Sequence, residues 1–449
     1  MSLILPLARQ FLNVMSSQKI RFFEESLKDP QKAQAYLLNK WKADKTHLEK
    51  VVGHEYTSGS SGAKKKITYT KSLKNSFSDM FQIWACDILN NAPIKLDSGV
   101  VYMSLSPRIN DHGGLDNDTE YVSPLMRPLL KKFLAVDPAM QRVTSGEEFY
   151  HQVAKQLLAR RDLEIISIWS PTYFLNLLDY IETHKKELGF SGSFNDHWPH
   201  LQMISAWSSG ESQSSAEELK KIFPEVWFQG KGLMATEGPM TIPWIKSQGM
   251  LPLLNHTYFE FMNQSHDRLL LHQLKEGEEY EILPRFPNME TRYEIGDKVV
   301  CTGHYQKTPM LEFLGRKGDS SDMVGEKLSG NILRELFTHD FLDFVIIANK
   351  DDKNFHYTII AESQNSNSKL DAVAIENKLQ SIHHYKLARD LNQLRPSRLL
   401  YVNGLKKEIK NIQLNLGIRE GDQKDFTIVK RPEVKKALYE WALSMSSSE

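Results

Sequence analysis

The sequence predicts an α/β protein with a large N-terminal α/β domain and a smaller C-terminal domain of α+β type. Two short apolar runs bounded by turn residues, "GVVYMSLSP" and "LEIISIWSP", are typical of strands buried on both faces. The second run leads directly into a helical pattern, and a strand followed by a helix indicates an α/β sheet layer. Because the pattern changes near residue 318, we predict two domains, residues 1–317 and 318–449.

Composition narrows the class of protein. The chain has 449 residues, more than one ordinary domain, and its 41% hydrophobic and 25% charged residues are typical of globular proteins. Its 56 basic and 56 acidic residues cancel, which argues against a broad surface for nucleic acid or anionic membrane. The two cysteines, Cys86 and Cys301, lie far apart and favour a reducing cytoplasm over a disulfide framework.

Membrane insertion is not expected. No stretch approaches the ~20 apolar residues that a spanning helix needs. The N-terminus, "MSLILPLARQFLNVM", lacks the basic leader and small-residue cleavage site of a secretory signal. We therefore expect a cytoplasmic protein.

The elements of the N-terminal domain are predicted from periodicity. Residues 8–50 have apolar residues at helical spacing among many charges and are predicted to be helical. The segment "PTYFLNLLDYIETHKKEL" predicts one helix, because Leu175, Leu178, Ile181 and Leu188 recur at helical spacing. Residues 208–218, "SSGESQSSAEE", are of low complexity.

A β-rich region leads up to and across the predicted boundary, and the chain then continues as α+β. Residues 279–329 are rich in turns and strands. "NILRELF" predicts a helix, and "DFVIIANKDDKNFHYTIIAES" predicts a hairpin across the polar tip "NKDDKN". "AIENKLQSIHHYKLARDL" predicts another helix. His383 and His384 are adjacent on it and point to different sides, so a zinc site is not expected there.

The segment "HEYTSGSSGAKKKITYTK", residues 54–71, is the first candidate site. From composition alone such a Ser/Gly-rich run is a linker more often than a site, and it is not a Walker P-loop. However, its glycines let backbone N–H groups converge on an anion, its hydroxyls add donors, and the lysines after it supply positive charge. Both readings, linker and phosphate loop, are open at this point.

Three further segments follow in order: "GLMATEGPM" (232–240), "YEIGDKVV" (293–300) and "LEFLGRKGD" (311–319). Together with "TSGSSG" they resemble the adenylate-forming enzyme superfamily. There a TSG(S/T)(T/S)G loop, a TE turn and a Y-x-x-G-D strand end build one ATP site, and a GR(K/D) hinge leads into a mobile C-terminal domain. Over residues 25–435 the chain is most similar to the acyl-acid amido synthetases first known as plant auxin-responsive proteins and their bacterial relatives.

This resemblance implies roles for individual residues. Thr236 would hydrogen-bond a phosphate, Glu237 would hold Mg²⁺, Asp297 would accept from the ribose hydroxyls, and Arg316 would reach the ribose or the α-phosphate. Gly210, in "AWSSGES", would allow adenine to approach closely. The implied ATP-binding residues are Ser58, Gly59, Ser60, Ser61, Gly62, Lys65, Gly210, Thr236, Asp297 and Arg316.

Several of these assignments leave alternatives. Lys66 could replace Lys65, and a lysine run is also typical of a solvated surface. The resemblance implies three catalytic residues: Lys424, Thr236 and Glu237. Lys424 lies in "EGDQKDFTIVKR", which departs from the family's G-Q-x-K-x-P-R pattern, and Lys430 is the alternative to it. Arg316 could form a structural ion pair.

A second departure concerns the adenine site. The superfamily usually has an aromatic residue four positions before the Glu of "TE", where it stacks on adenine. This chain has Leu233 there. An apolar side chain can still cover the ring, so we expect altered selectivity for the base and not loss of activity.

The resemblance implies an ATP-dependent acyl-acid ligase. Its partners would be a small-molecule carboxylic acid, activated as acyl-AMP with release of pyrophosphate, and an amine, most simply an amino acid, that accepts the acyl group. The alternatives are a thiol acceptor (coenzyme A or a carrier protein), an adenylyl transferase and a non-catalytic nucleotide-binding scaffold. The acid itself is not indicated: "VVYMSLSP" and "SIWSPTYF" could line its pocket or form sheet core. Oligomeric state is not indicated either.

Overall fold

The structure is a computed structural model of the full chain. It describes residues 4–44, 49, 51–57, 65–105, 127–143, 146–287, 289, 292–316, 320–321, 323–324, 326, 328–351, 354–364, 370–390, 393–418, 423 and 425–446.

The chain begins with two helices, α1 (Ile4–Lys28) and α2 (Pro30–Asp44), as predicted for residues 8–50. Asp29 separates them, and its carboxylate accepts from the backbone N–H of Lys32 at 3.0 Å, which caps the first turn of α2. Phe23 and Leu27 of α1 are completely buried. The apolar spacing thus anchors these helices to a core.

A pair of antiparallel strands follows, β1 (Val51–Thr57) and β2 (Lys65–Thr70). Thr70 ends β2 and caps the next helix, α3 (Lys71–Asn91), because its side chain accepts from the N–H of Leu73 at 3.2 Å.

The strand runs around residues 101 and 165 form a four-stranded parallel sheet, as predicted. Its strands lie in chain order and are β3 (Val101–Met103), β4 (Ile165–Ser167), β5 (Met203–Ala206) and β6 (Trp227–Gly230). The helices between these strands are α4 (Arg127–Leu130), α5 (Gly146–Leu158), α6 (Pro171–Thr183), α7 (Lys185–Leu188), α8 (Phe194–His197) and α9 (Gln213–Ile222). Parallel strands require such crossovers, since their ends lie at opposite edges of the sheet.

One detail of this region differs from the sequence prediction, and another was not predicted. The single helix predicted over "PTYFLNLLDYIETHKKEL" is broken at His184, whose backbone leaves the helical region and whose ring stacks on Tyr180 with centroids 4.0 Å apart. The low-complexity segment 208–218 enters helix α9, which buries Ala216 and Leu219. Tertiary packing decided both outcomes.

The β-rich region predicted from residue 279 belongs to a larger antiparallel array. Two small pairs come first: β7 (Met234–Ala235) with β8 (Gly238–Pro239), and β9 (Thr241–Trp244) with β10 (Gly249–Pro252). A five-stranded sheet of order β12-β11-β13-β14-β15 follows. Its strands are β11 (Tyr258–Met262), β12 (Arg268–Leu270), β13 (Glu279–Arg285), β14 (Asp297–Tyr305) and β15 (Thr308–Arg316).

The C-terminal part is α+β, as predicted. Its strands are β16 (Ser320–Ser321), β17 (Leu328–Ser329), β18 (Phe341–Asp351), β19 (Asn354–Ser363) and β20 (Arg398–Tyr401), and its helices are α10 (Gly330–Phe337), α11 (Ala372–Leu379), α12 (His383–Asp390), α13 (Leu405–Asn415) and α14 (Pro432–Ser446). Strands β18 and β19 form the predicted hairpin, closing with Asp351 opposite Asn354. Strand β20 adds to it in parallel.

The single helix predicted over residues 374–391 is two helices, and a buried carboxylate explains the break. Glu376 of α11 accepts from the Tyr385 hydroxyl at 2.9 Å and from the Arg389 guanidinium at 2.5 Å, both on α12, and from the Ser397 N–H at 2.8 Å. Burial alone would raise the pKa of Glu376, but these donors together lower it. Because the chain turns between α11 and α12, the donors on α12 can reach the carboxylate on α11.

Two compact units divide the chain, one ending at Leu314 and the other beginning at Gly315. The first holds two large apolar clusters, around Phe174 and around Phe259, and the second holds clusters around Tyr357 and Leu438. The assignment of residues 1–317 as an ATP- and acyl-binding domain and 318–449 as a mobile domain stays a prediction. Within the described residues, no helix is both long and apolar enough to cross a bilayer.

Candidate functional site

Several predicted site residues fall outside the described part of the chain. These are the loop Ser58, Gly59, Ser60, Ser61 and Gly62 and the lysine Lys424. Lys65 begins β2 and Arg316 ends β15, but their side chains are also outside it. Strand pairing reaches Thr57 opposite Lys65, the two residues that flank the predicted phosphate loop.

The Thr-Glu turn is a tight hairpin turn in the first unit. Ala235 of β7 pairs with Gly238 of β8, so Thr236 and Glu237 form the two-residue connection between them. Gly238 is required by packing, because a Cβ there would lie 2.2 Å from Cδ1 of Phe286. The turn is therefore pressed against the residue that follows strand β13.

A partly buried hydrogen bond links this turn to the strand after the phosphate loop. The hydroxyl of Tyr69, in β2, donates to the backbone oxygen of Thr236 at 2.7 Å. Tyr69 is almost fully buried, and its ring stacks on Phe77 of α3. Strand β2 is thus in direct contact with the Thr-Glu turn, although the two bonded residues are 167 positions apart in the sequence.

Glu237 has the surroundings of a ligand-binding carboxylate. The residue is only 6% exposed, yet the part of the chain that the structure describes offers its carboxylate no hydrogen bond or ion pair. Burying an uncompensated carboxylate costs several kcal/mol, so proteins generally pair such a group or use it to hold a cation. A hard cation such as Mg²⁺ prefers carboxylate oxygen, so this residue fits the metal role implied by the resemblance.

Asp297 is buried at the start of a strand of the five-stranded sheet. It is the first residue of β14, is 4% exposed, and follows Gly296, which has a positive φ of 76°. The chain leading to it is held by the N–H of Tyr293, which donates to the oxygen of Pro284 at 2.7 Å. Since Pro284 lies two residues before Phe286, the end of β13 contacts both the Thr-Glu turn and the approach to Asp297.

Gly210 and Leu233 are both fixed by their neighbours. Gly210 has φ +59°, and a Cβ there would lie 2.8 Å from the ring of Phe313 in β15. The ring of Phe313 therefore occupies the space that a side chain at Gly210 would need. The close approach of adenine to Gly210 stays a prediction. Leu233 is partly buried, and its N–H donates to the Thr241 hydroxyl at 2.7 Å.

The segments "VVYMSLSP" and "SIWSPTYF", considered as walls of an acid pocket, contain both buried and half-buried aromatic residues. Tyr102, Tyr173 and Phe174 are buried in one apolar cluster, and burial raises the pKa of Tyr102, whose hydroxyl lies 2.9 Å from that of Tyr173. These aromatic residues therefore belong to the sheet core. Trp169, in contrast, is only half-buried at the end of β4.

The alternative catalytic lysine, Lys430, is described. It is exposed, and its ammonium donates to the backbone oxygen of Ser320 in the second unit. Because Lys424 lies outside the described residues, the choice between the two lysines stays a prediction.

Sequence reasoning missed a polar row on the parallel sheet, formed by Ser167, Ser205 and Gln229, with Lys231 beyond it. A signal was present: Ser-x-Trp-Ser occurs twice, as "SIWS" at 167–170 and "SAWS" at 205–208, each at the end of a strand. Alternation places the serine and tryptophan of each motif on one face. Only the pairing of β4 with β5 shows that the two motifs lie side by side, with Ser167 opposite Ser205.

Replacing Tyr69 with phenylalanine tests the contact between β2 and the Thr-Glu turn. We expect the free energy of unfolding to fall by about 1–2 kcal/mol, since a buried carbonyl oxygen loses its donor, and the KM for ATP to rise several-fold. Urea unfolding and ATP titration measure the two effects. Tyr36→Phe, at a position that is 55% exposed, is the control. An unchanged KM in a destabilised Tyr69→Phe protein would show that the contact has only a structural role.

Comparison with protein families gives two matches along the chain. Residues 48–190 match the GH3 family N-terminal domain, and residues 250–316 match the GH3 family central domain. No curated protein sequence matches the chain significantly.

Solved structures include close matches in fold. The AtGH3.15 acyl acid amido synthetase in complex with 2,4-DB has a TM-score of 0.74 at 16% identity, over 90% of this chain and 85% of that one. A second structure, GH3.15 acyl acid amido synthetase, has a TM-score of 0.67 at 17% identity over 84% and 81% of the two chains. A 2-hydroxyisobutyryl-CoA ligase in the postadenylation state, in complex with R3-HIB-AMP, has a TM-score of 0.55 at 12% identity over 88% and 76%. At such identities these likenesses establish the fold.

Proposed function

The chain belongs to the GH3 family of adenylate-forming enzymes, and from this premise we propose that it is an ATP-dependent acyl-acid ligase that forms an amide. Its structural neighbours include proteins named as acyl acid amido synthetases. The observation that carries the proposal is the buried carboxylate of Glu237, without a described partner, in a turn bonded to the strand after the phosphate loop.

The first half-reaction joins two anions. A carboxylate oxygen of the acid attacks the α-phosphorus of ATP, the bond to the β-phosphate oxygen breaks, and pyrophosphate leaves with the electron pair. Glu237 would hold Mg²⁺, which supplies positive charge to the phosphate oxygens. Thr236 and the loop 58–62 would donate to phosphate oxygens, and Asp297 would orient the ribose. Fixed donors and prepaid orientation can each supply several kcal/mol of the barrier.

In the second half-reaction the amine nitrogen attacks the acyl carbon, the bond to AMP breaks, and the amine loses a proton. Lys424 is the proposed lysine that stabilises developing charge, and residues 315–319 are the proposed hinge. We propose an amino acid as the acceptor, because two structural neighbours are named acyl acid amido synthetases. A thiol is the alternative, because another neighbour is named a CoA ligase. A cytoplasmic location is part of the proposal, and both cysteines, Cys86 and Cys301, are free and buried.

Exchange of labelled pyrophosphate into ATP, measured across a panel of carboxylic acids, tests the first step. Acid-dependent exchange is the expected result. No exchange with any acid would contradict adenylation and favour a nucleotide-binding scaffold, whereas AMP that stays attached to a protein or cofactor would favour an adenylyl transferase.

An acceptor panel with preformed acyl-AMP tests the second step. We expect amide and AMP to form with an amino acid. Thioester formation with coenzyme A, without amide formation, would overturn the choice of acceptor.

A further inference from the structure

The parallel sheet carries a polar row where apolar side chains would be expected. Ser167 of β4, Ser205 of β5 and Gln229 of β6 lie side by side in register, and all three are at most 6% exposed. Strands of a parallel sheet are normally buried on both faces and therefore apolar. Polar groups at these positions stabilise the fold less than valine or isoleucine would, which points to another use.

Two positions after each of these polar residues, just beyond the ends of the strands, lie Trp169, Trp207 and Lys231. The ladder continues to this level, since Trp207 N–H donates to the oxygen of Trp169 at 3.0 Å and Lys231 N–H donates to that of Ala206 at 2.8 Å. These residues mark the carboxyl ends of the strands. In open α/β sheets this edge is where ligands bind.

Lys231 is buried between two indole rings. The residue is 9% exposed, its Nζ donates to the Ser167 hydroxyl at 3.0 Å, and it lies 4.4 Å from the ring centre of Trp84 and 4.5 Å from that of Trp169. Indole faces attract a cation, most strongly where water is excluded. They hold the ammonium in place.

The rings around Lys231 are themselves fixed. Trp84 of α3 donates from Nε1 to the Gln229 side-chain oxygen at 2.8 Å. Trp169 packs against Trp207 at 5.6 Å and against Phe81 at 6.2 Å between ring centres. All three tryptophans are half-buried, so each keeps part of its apolar surface open.

A second, independent observation that points to a ligand is the hydroxyl of Ser205. Its residue is fully buried, and its hydroxyl has no hydrogen-bond partner within the described ranges. A buried hydroxyl without a partner is costly and uncommon. It stands in register beside Ser167, which already accepts from Lys231.

We propose that the cluster of Lys231, Ser205, Trp84, Trp169 and Trp207 binds the acid substrate. Lys231 donates a charge-assisted hydrogen bond to the reacting carboxylate, and the indoles contact an aromatic or other apolar group attached to it. Lys231 lies six residues before Glu237 and bonds through its backbone to the segment that contains Gly210. This inference rests on the proposed function.

The experiment compares Lys231→Met, Lys231→Arg and Lys246→Met in the full chain. Lys246 is the matched control, because it too lies near an indole, Trp244 at 5.9 Å, but its side chain is 50% exposed. With an acid that supports exchange in the wild type, we expect Lys231→Met to raise the KM for the acid about 10- to 100-fold, the loss of one charged hydrogen bond, with the KM for ATP unchanged. Lys231→Arg should restore part of the affinity, and Lys246→Met should match the wild type.

Acid titration followed by tryptophan emission, without ATP, measures binding apart from catalysis. We expect the acid to change the emission of the wild type, and the change to shrink in Trp169→Phe. A folded Lys231→Met protein with the wild-type KM for the acid would overturn the proposal. So would an absence of any emission change in the wild type, even if Lys231→Met fails to fold. If no acid supports exchange, the proposed function fails, while the emission titration across the same acids still decides the binding site.

Discussion

Replacing Glu237 with glutamine is expected to lower the rate of acid-dependent pyrophosphate exchange by about 10²- to 10³-fold, the range for loss of a group that stabilises transition-state charge. Glutamine keeps the shape of the side chain and can still accept a hydrogen bond. It lacks the negative charge that holds a divalent cation against the phosphates. The concentration of Mg²⁺ needed for half-maximal rate should therefore rise in Glu237→Gln.

The stability of the folded protein should not fall in Glu237→Gln. Because Glu237 has no described hydrogen-bond or ion-pair partner, removing its charge breaks no described contact. We expect the unfolding midpoint of Glu237→Gln to equal or exceed that of the wild type. This combination, lost activity without lost stability, is typical of a residue retained for its ligand.

Glu225→Gln is the matched control, since Glu225 is an exposed glutamate in the same unit. It should leave the exchange rate and the Mg²⁺ dependence unchanged. A Glu237→Gln protein with wild-type exchange and wild-type Mg²⁺ dependence would remove Glu237 from the metal site. A strongly destabilised variant would instead show that the carboxylate has a structural partner.

Replacing Gly232 with alanine is expected to have the largest effect on folding. A Cβ at this position would lie 2.1 Å from the backbone oxygen of Thr241, and a backbone atom cannot rotate away as a side chain can. The same Thr241 accepts from Leu233 through its hydroxyl. We expect the free energy of unfolding to fall by about 2–4 kcal/mol, as in other overpacked cores.

Urea unfolding followed by tryptophan emission measures this effect. Seven of the eight tryptophans precede residue 315, so the emission reports mainly on the first unit. Gly53→Ala is the control, because a Cβ there meets nothing within 4 Å. If Gly232→Ala unfolded at the same urea concentration as the wild type, the prediction would be wrong. The backbone at Gly232 and at Thr241 would then be able to move apart at no cost in free energy.

Short-range patterns made much of the fold predictable. The hairpin of β18 and β19 follows from alternation around a polar tip, and the strands β3 and β4 follow from apolar runs between turn residues. The predictions failed where a distant group intervened. The helix predicted over 374–391 breaks because Glu376, Tyr385 and Arg389 meet at one buried carboxylate, which helical periodicity does not encode.

The candidate site divides in the same way. Glu237 and Asp297 could be singled out because each lies in a short motif whose letters are contiguous. Lys231 could not, because its partners Trp84 and Trp169 come from a helix and a strand 147 and 62 residues earlier in the chain. Nothing in "GKG" itself indicates an indole on either side of the lysine.

The sequence by itself predicted most of the elements, the resemblance to a family and the residues that match its nucleotide motifs, because these depend on neighbours along the chain. Only the tertiary structure decided that Tyr69 holds the Thr-Glu turn, that Glu237 is buried without a described partner, and that Lys231 lies between two tryptophans. The physical reason is that burial and charge compensation depend on which distant segments pack together, and strand register and helix packing set those contacts.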